Sequence, residues 1–151
     1  MIRRRLGAHL STADGLRYAA VNARALGIEC LQIMLGEGFS WSPYKLDQDS
    51  VNEFRKLVYG MAVYVHLPYT INPCVSKGSG NYSLQQSVIR KYLDVSEAVG
   101  ATAVVLHPGY KKELTEAAAR YNFLKFMEGV TKQPGAISRK TQGDRQCNRK
   151  I

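Results

Sequence analysis

Cysteine is scarce in this chain, and what there is does not pair. Cys30, Cys74 and Cys147 are odd in number, widely separated and in no CxxC arrangement. That excludes a disulfide framework and makes a reducing, cytoplasmic setting the simple reading. Long apolar runs are missing too, since none approaches the roughly 20 residues of a membrane span, so no membrane partner is expected. The basic opening Met1-Ile2-Arg3-Arg4-Arg5 is not followed by the apolar stretch of a signal peptide. A glycine-rich phosphate loop of the P-loop or dinucleotide type is absent, and no nucleophile triad can be read.

Acidic residues are also few: 12 against 21 Lys and Arg, for a net charge of +9. The imbalance is uneven. Residues 1–130 hold 15 basic and 11 acidic side chains, whereas Thr131 to Ile151 hold six and one. A basic surface favours polyanions, of which nucleic acid is the commonest. For 131–151 alone, the composition favours a solvated, disordered tail over a nucleic-acid contact. What remains is ordinary: 151 residues, 45% apolar and 22% charged, enough for one core.

Two stretches organise the chain. Met61-Ala62-Val63-Tyr64-Val65-His66-Leu67-Pro68-Tyr69 and Thr102-Ala103-Val104-Val105-Leu106-His107-Pro108-Gly109-Tyr110 are apolar, β-branched runs that stop just after a histidine. Each reads as a strand of a parallel sheet, buried on both faces, with the imidazole at its carboxyl end. One helix-patterned segment separates them, which makes a right-handed β-α-β unit. Neighbouring strands lie roughly 4.8 Å apart, so His66 and His107 are expected on one rim, within reach of one ligand.

The remaining pattern repeats that rhythm. Ile2–Leu6 reads as a first strand, followed by a helix capped by Ser11, Thr12 or Asp14, with Leu16, Ala19, Ala20, Ala23 and Leu26 inward. Ile28–Leu35 is a second strand. Ser50-Val51-Asn52-Glu53 fits a capping box opening the second helix. Leu67–Tyr82 is a long loop, of the kind that is functional or disordered. Ser83 caps a third helix carrying Leu84, Val88, Tyr92, Val95 and Val99. Thr115 caps a fourth, with Ala118, Tyr121, Leu124 and Phe126 apolar. Four β/α units predict an α/β protein of the TIM-barrel type, (β/α)8, truncated to about the first four units, since a whole barrel needs roughly 250 residues. The division expected is 1–130 as the barrel part and 131–151 as the basic tail.

Gly7-Ala8-His9-Leu10-Ser11, His66-Leu67-Pro68-Tyr69-Thr70-Ile71-Asn72 and His107-Pro108-Gly109, in that order, resemble the endonuclease IV family over about residues 5–129. These are zinc-dependent AP endonucleases of base-excision repair, built on a (β/α)8 barrel with three zinc ions at its carboxyl end. The resemblance implies DNA with an abasic site as partner, hydrolysis of the phosphodiester 5′ to that site, and the N-terminal half of such a barrel here. It places His66 and His107 as ligands of one zinc, a role suited to neutral imidazole. His9 is similar to a first-strand histidine that lies near the family's site without being a metal ligand, and the resemblance implies a DNA-binding role for it. Trp41 stands where the family carries a DNA-contacting aromatic, Tyr69 where a tyrosine enters the DNA at the lesion, and Asn72 also matches. Structural readings stand beside these: histidines bonded to loop backbone, and aromatics packing loops against the rim.

The chain also departs from the family. Glu37-Gly38-Phe39 replaces a more polar loop. Where the fifth strand should end in a zinc-bridging Glu, the alignment puts Arg139-Lys140-Thr141. At most a partial zinc site is expected, because three or four protein ligands are usual. Activity is expected to be weak or absent. Open strand edges, with Val104 and Leu106 among the inward-facing residues, predict a homo-oligomer or a completing polypeptide. Two other functions compete: a non-catalytic DNA- or partner-binding remnant, and a metal-dependent sugar isomerase or epimerase barrel.

Overall fold

The computed structural model describes residues 5–132. Four β/α units follow one another: β1 (Gly7–His9), α1 (Leu16–Ala25), β2 (Cys30–Met34), α2 (Gln48–Leu57), β3 (Ala62–His66), α3 (Tyr82–Ala98), β4 (Ala103–Val105) and α4 (Glu116–Thr131). The strands make one parallel sheet in the order β1-β2-β3-β4. The fold class is therefore α/β, a run of β/α units laid side by side in chain order.

Side-chain parity divides the sheet into two faces. Leu31, Ile33, Val63 and Val65 are at most 2% exposed and pack against the helices with Phe54, Tyr92 and Phe126. Val104 and Leu106 join this helix side. They are thus not the inward-facing residues expected, because the alternation along β4 puts Val105 on the other face. That other face is the one the strand-end histidines share, and much of it is open. His66 pairs in register with Met34 and Val105, and His9 with Gln32. β4 is likewise not buried on both faces: Ala103 and Val105 are exposed, since among the described residues no strand lies beyond it and nothing opposes its inner face.

Other boundaries differ from expectation for local reasons. The first strand is Gly7–His9, while Ile2, Arg3 and Arg4 lie outside the described residues. Gly7 permits the pairing, because a Cβ there would collide with the Cys30 carbonyl. α1 is preceded by Gly15 with no side-chain cap: Ser11 accepts from Ala13 N instead (3.1 Å), and Thr12 Oγ1 donates to Met34 O (2.6 Å). Asp47, not Ser50, caps α2, accepting from the Ser50 N–H at 2.8 Å. α3 starts at Tyr82, ahead of Ser83, and Leu84 is exposed. Thr115 caps α4 as expected, its hydroxyl accepting from Ala118 N. Leu26, Tyr121 and Leu124 are exposed, off the packed faces. Residues 133–151, with Arg139-Lys140-Thr141, Cys147 and most of the tail, fall outside the described residues. Among those described, no helix is long and apolar enough to cross a membrane.

Candidate DNA-binding rim

The carboxyl ends of the strands bring the predicted residues together because each strand stops where a turn begins. His66 is the last residue of β3, and His107 lies two beyond Val105, its register partner in β4. Equal parity puts both imidazoles on one face, with ring centroids 5.0 Å apart. His9, at the end of β1, stacks on His66 at 6.0 Å. Tyr69 leans over the pair, 5.0 Å from His66 and 5.5 Å from His107. These four rings form one continuous rim.

Hydrogen bonds fix the imidazoles. His66 is buried, and its Nδ1 lies 2.7 Å from the Leu67 carbonyl. A carbonyl only accepts, so Nδ1 bears a hydrogen, which leaves Nε2 as the ring atom a neutral imidazole would offer to a metal. His9 Nδ1 meets Gln32 Nε2 at 3.0 Å. Burial, and then the charge of His66, hold the His9 pKa below its ordinary value.

Donor chemistry tests whether zinc fits. The two imidazoles lie with ring centroids 5.0 Å apart, yet among the described residues no group of three or more His, Cys, Asp or Glu could hold a metal. These residues do not complete a zinc site.

Two loops frame the rim. The β2–α2 loop carries Trp41, half-buried, whose Nε1 donates to Thr70 Oγ1 at 2.6 Å. Its Gly38 carbonyl accepts from Tyr69 N (2.9 Å), and a Cβ on Gly38 would press the Tyr69 ring at 3.1 Å. Glycine in Glu37-Gly38-Phe39 thus lets the loop seat against Tyr69, and exposed Phe39 extends the aromatic row at 6.1 Å. Asn72 joins the loops after β3 and β4: its amide donates to Tyr110 O (3.1 Å) and accepts from Tyr110 N (2.9 Å) and Cys74 N (3.1 Å). Asn72 is therefore a structural brace, with its amide engaged inside the protein.

Sequence reasoning missed Gln32, Phe39 and Tyr110. Period-2 alternation along β2 puts Gln32 on the histidine face. Phe39 and Tyr110 carried no comparable signal, being loop aromatics whose neighbours are distant in sequence.

No protein-family model matches the chain. Curated relatives do. A probable endonuclease 4 of Nitratidesulfovibrio vulgaris Hildenborough is 31% identical over 105 residues, covering 68% of this chain and 37% of the relative. One from Mycobacterium leprae is 34% identical over 105 residues, covering 70% and 38%. This chain thus spans less than two-fifths of the length of either. Among solved structures, endonuclease IV from Thermus thermophilus superposes with a TM-score of 0.69 at 26% identity, covering 86% of this chain and 48% of that one. A D-allulose 3-epimerase from Methylomonas sp. matches at 0.58 and 19%, covering 85% and 47%, a likeness of fold alone.

Proposed function

Because the chain belongs to the endonuclease IV family, we propose that it is a DNA-repair protein whose rim of His9, His66, His107, Trp41 and Tyr69 engages DNA at an abasic site. The observation that carries this reading is the convergence of His66, His107 and Tyr69 within 5.5 Å at adjoining strand ends. Imidazoles suit a divalent metal or a phosphate oxygen, and a flat phenol fills the gap left by a missing base. Asn72 supports the rim by tying its two loops together.

In this reading His66 and His107 are two zinc ligands, His66 held in the required tautomer by the Leu67 carbonyl. A zinc ion held by these two imidazoles and completed by further ligands would supply an activated water and charge stabilisation for phosphodiester hydrolysis 5′ to the lesion. The protein's own part is to exclude the intact stack with Tyr69, to hold His9 neutral and to keep the histidine lone pairs available. Further ligands are needed beyond the described residues of one copy, and a completing polypeptide or a second copy is the proposed source. Hydrolysis by this chain alone is absent or far below that of a full-length relative, and binding is its main activity. The sugar-epimerase alternative rests on fold likeness only.

An end-labelled duplex with one central abasic site, incubated with the protein and zinc, tests the reading. Retention of the duplex with little or no incision is expected. Failure to retain it at any salt concentration would reject the DNA-binding assignment.

A further inference from the structure

Beside the histidines lies a second feature: a cleft of about 390 Å3 between the loops after β2, β3 and β4, whose lining includes Trp41, Tyr69, Ser79, Asn81, Tyr110 and Lys112. Its volume is at the small end of the roughly 300–1,000 Å3 usual for ligand sites. Tyr69 is the shared wall, contacting His66 and His107 while also lining the cleft. We propose that this cleft is a nucleotide site, taking one base-bearing unit of the strand next to the lesion between Trp41, Tyr69 and Tyr110, with its phosphate on Lys112. The proposal rests on the reading of the rim as a DNA-binding surface.

The residues suit that ligand and are poorly explained without one. Tyr110 is 69% exposed, yet its backbone is bonded on both sides by Asn72, so a solvated aromatic is held on a fixed mount. Such a ring stacks on any base without sequence preference. Among the described residues, Lys112 enters no ion pair and is the one non-glycine with positive φ, at 49°. Side chains in that region persist where the surroundings enforce them, commonly at ligand clamps. The Ser79 hydroxyl is buried in the wall without a hydrogen-bond partner. Asn81 precedes α3 but makes no side-chain cap bond, so its amide remains for a base edge.

Trp41 is the sole tryptophan, so its emission reports directly on this cleft. The probes are a four-residue thymidine oligonucleotide and a four-residue sugar-phosphate strand lacking bases, equal in charge. The expected result is saturable quenching, with the base-bearing strand binding about tenfold more tightly, in the range of one base–aromatic stack. Tyr110→Ala should erase most of that difference, and Lys112→Gly, which tolerates the backbone angle, should weaken both strands alike. A cleft titration that behaves as expected while the abasic duplex is not retained would reject the rim reading alone, so the two failures are separable. Equal affinity for the two strands, or a difference that survives Tyr110→Ala, would overturn the proposal.

Discussion

Tyr92→Phe removes one oxygen atom and should change how stability responds to alkali. Tyr92 is 1% exposed on α3, and its hydroxyl lies 3.4 Å from the carbonyls of both Ser40 and Ser42, the residues flanking Trp41. Gly36 makes room for it, since a Cβ there would collide with the phenol oxygen. Burial, and then Tyr44, push its pKa up to about 12 from 10.0. The unfolded phenol ionises near pH 10, so between about 10 and 12 the folded chain binds more protons than the unfolded one. The contribution is whole below pH 10 and is lost as pH rises through 12. That gap corresponds to at most ~2.7 kcal/mol. Near neutrality the long hydroxyl contacts are weak, and the Phe variant should lose only about 0.5 kcal/mol. Urea unfolding at pH 8 and pH 11.5, followed by circular dichroism, should therefore show the wild type ahead at the lower pH and behind at the higher. Parallel decline of both proteins would refute the reasoning, because no proton would then be linked to this burial.

Three more outcomes are expected. Gly109→Ala puts a side chain at φ 94° against the Asn72 carboxamide, and should cost about 1–3 kcal/mol in thermal or chemical unfolding while loosening the His107-Pro108-Gly109 turn. A chromophoric competitor should detect weak zinc binding that His66→Ala with His107→Ala removes; unchanged binding in that variant would reject the pair. Deleting Thr131–Ile151, with its six basic residues and one acid, should weaken binding to intact and abasic DNA alike. The slope of log affinity against log salt should flatten by roughly 0.9 for each phosphate no longer neutralised.

The histidine rim was legible because three simple rules coincide there. Apolar runs ending at His66 and His107 mark strands, prolines end them, and equal parity puts both rings on one face. Capping was less legible, because several Ser, Thr and Asp residues compete at each helix start. Asp47 outcompetes Ser50, and Thr12 is drawn away to the Met34 carbonyl, a partner 22 residues distant. Burial of β4 departs from its pattern for a different reason: Thr102–Leu106 has the composition of a central strand but is the last strand among the described residues. Tyr110 and Lys112 could not be found from pattern, since the cleft exists only when three loops meet.

Recognition of an abasic site by aromatic side chains beside the paired histidines is what most needs measuring. The affinity of the full chain should be compared, by fluorescence anisotropy at one fixed salt concentration, for a duplex with a central abasic site and for the same duplex intact. A preference of about tenfold, or ~1.4 kcal/mol, is expected, and it should disappear when Trp41 and Tyr69 are both replaced by Ala. Equal affinity of the unmutated chain for the two duplexes would rule that recognition out.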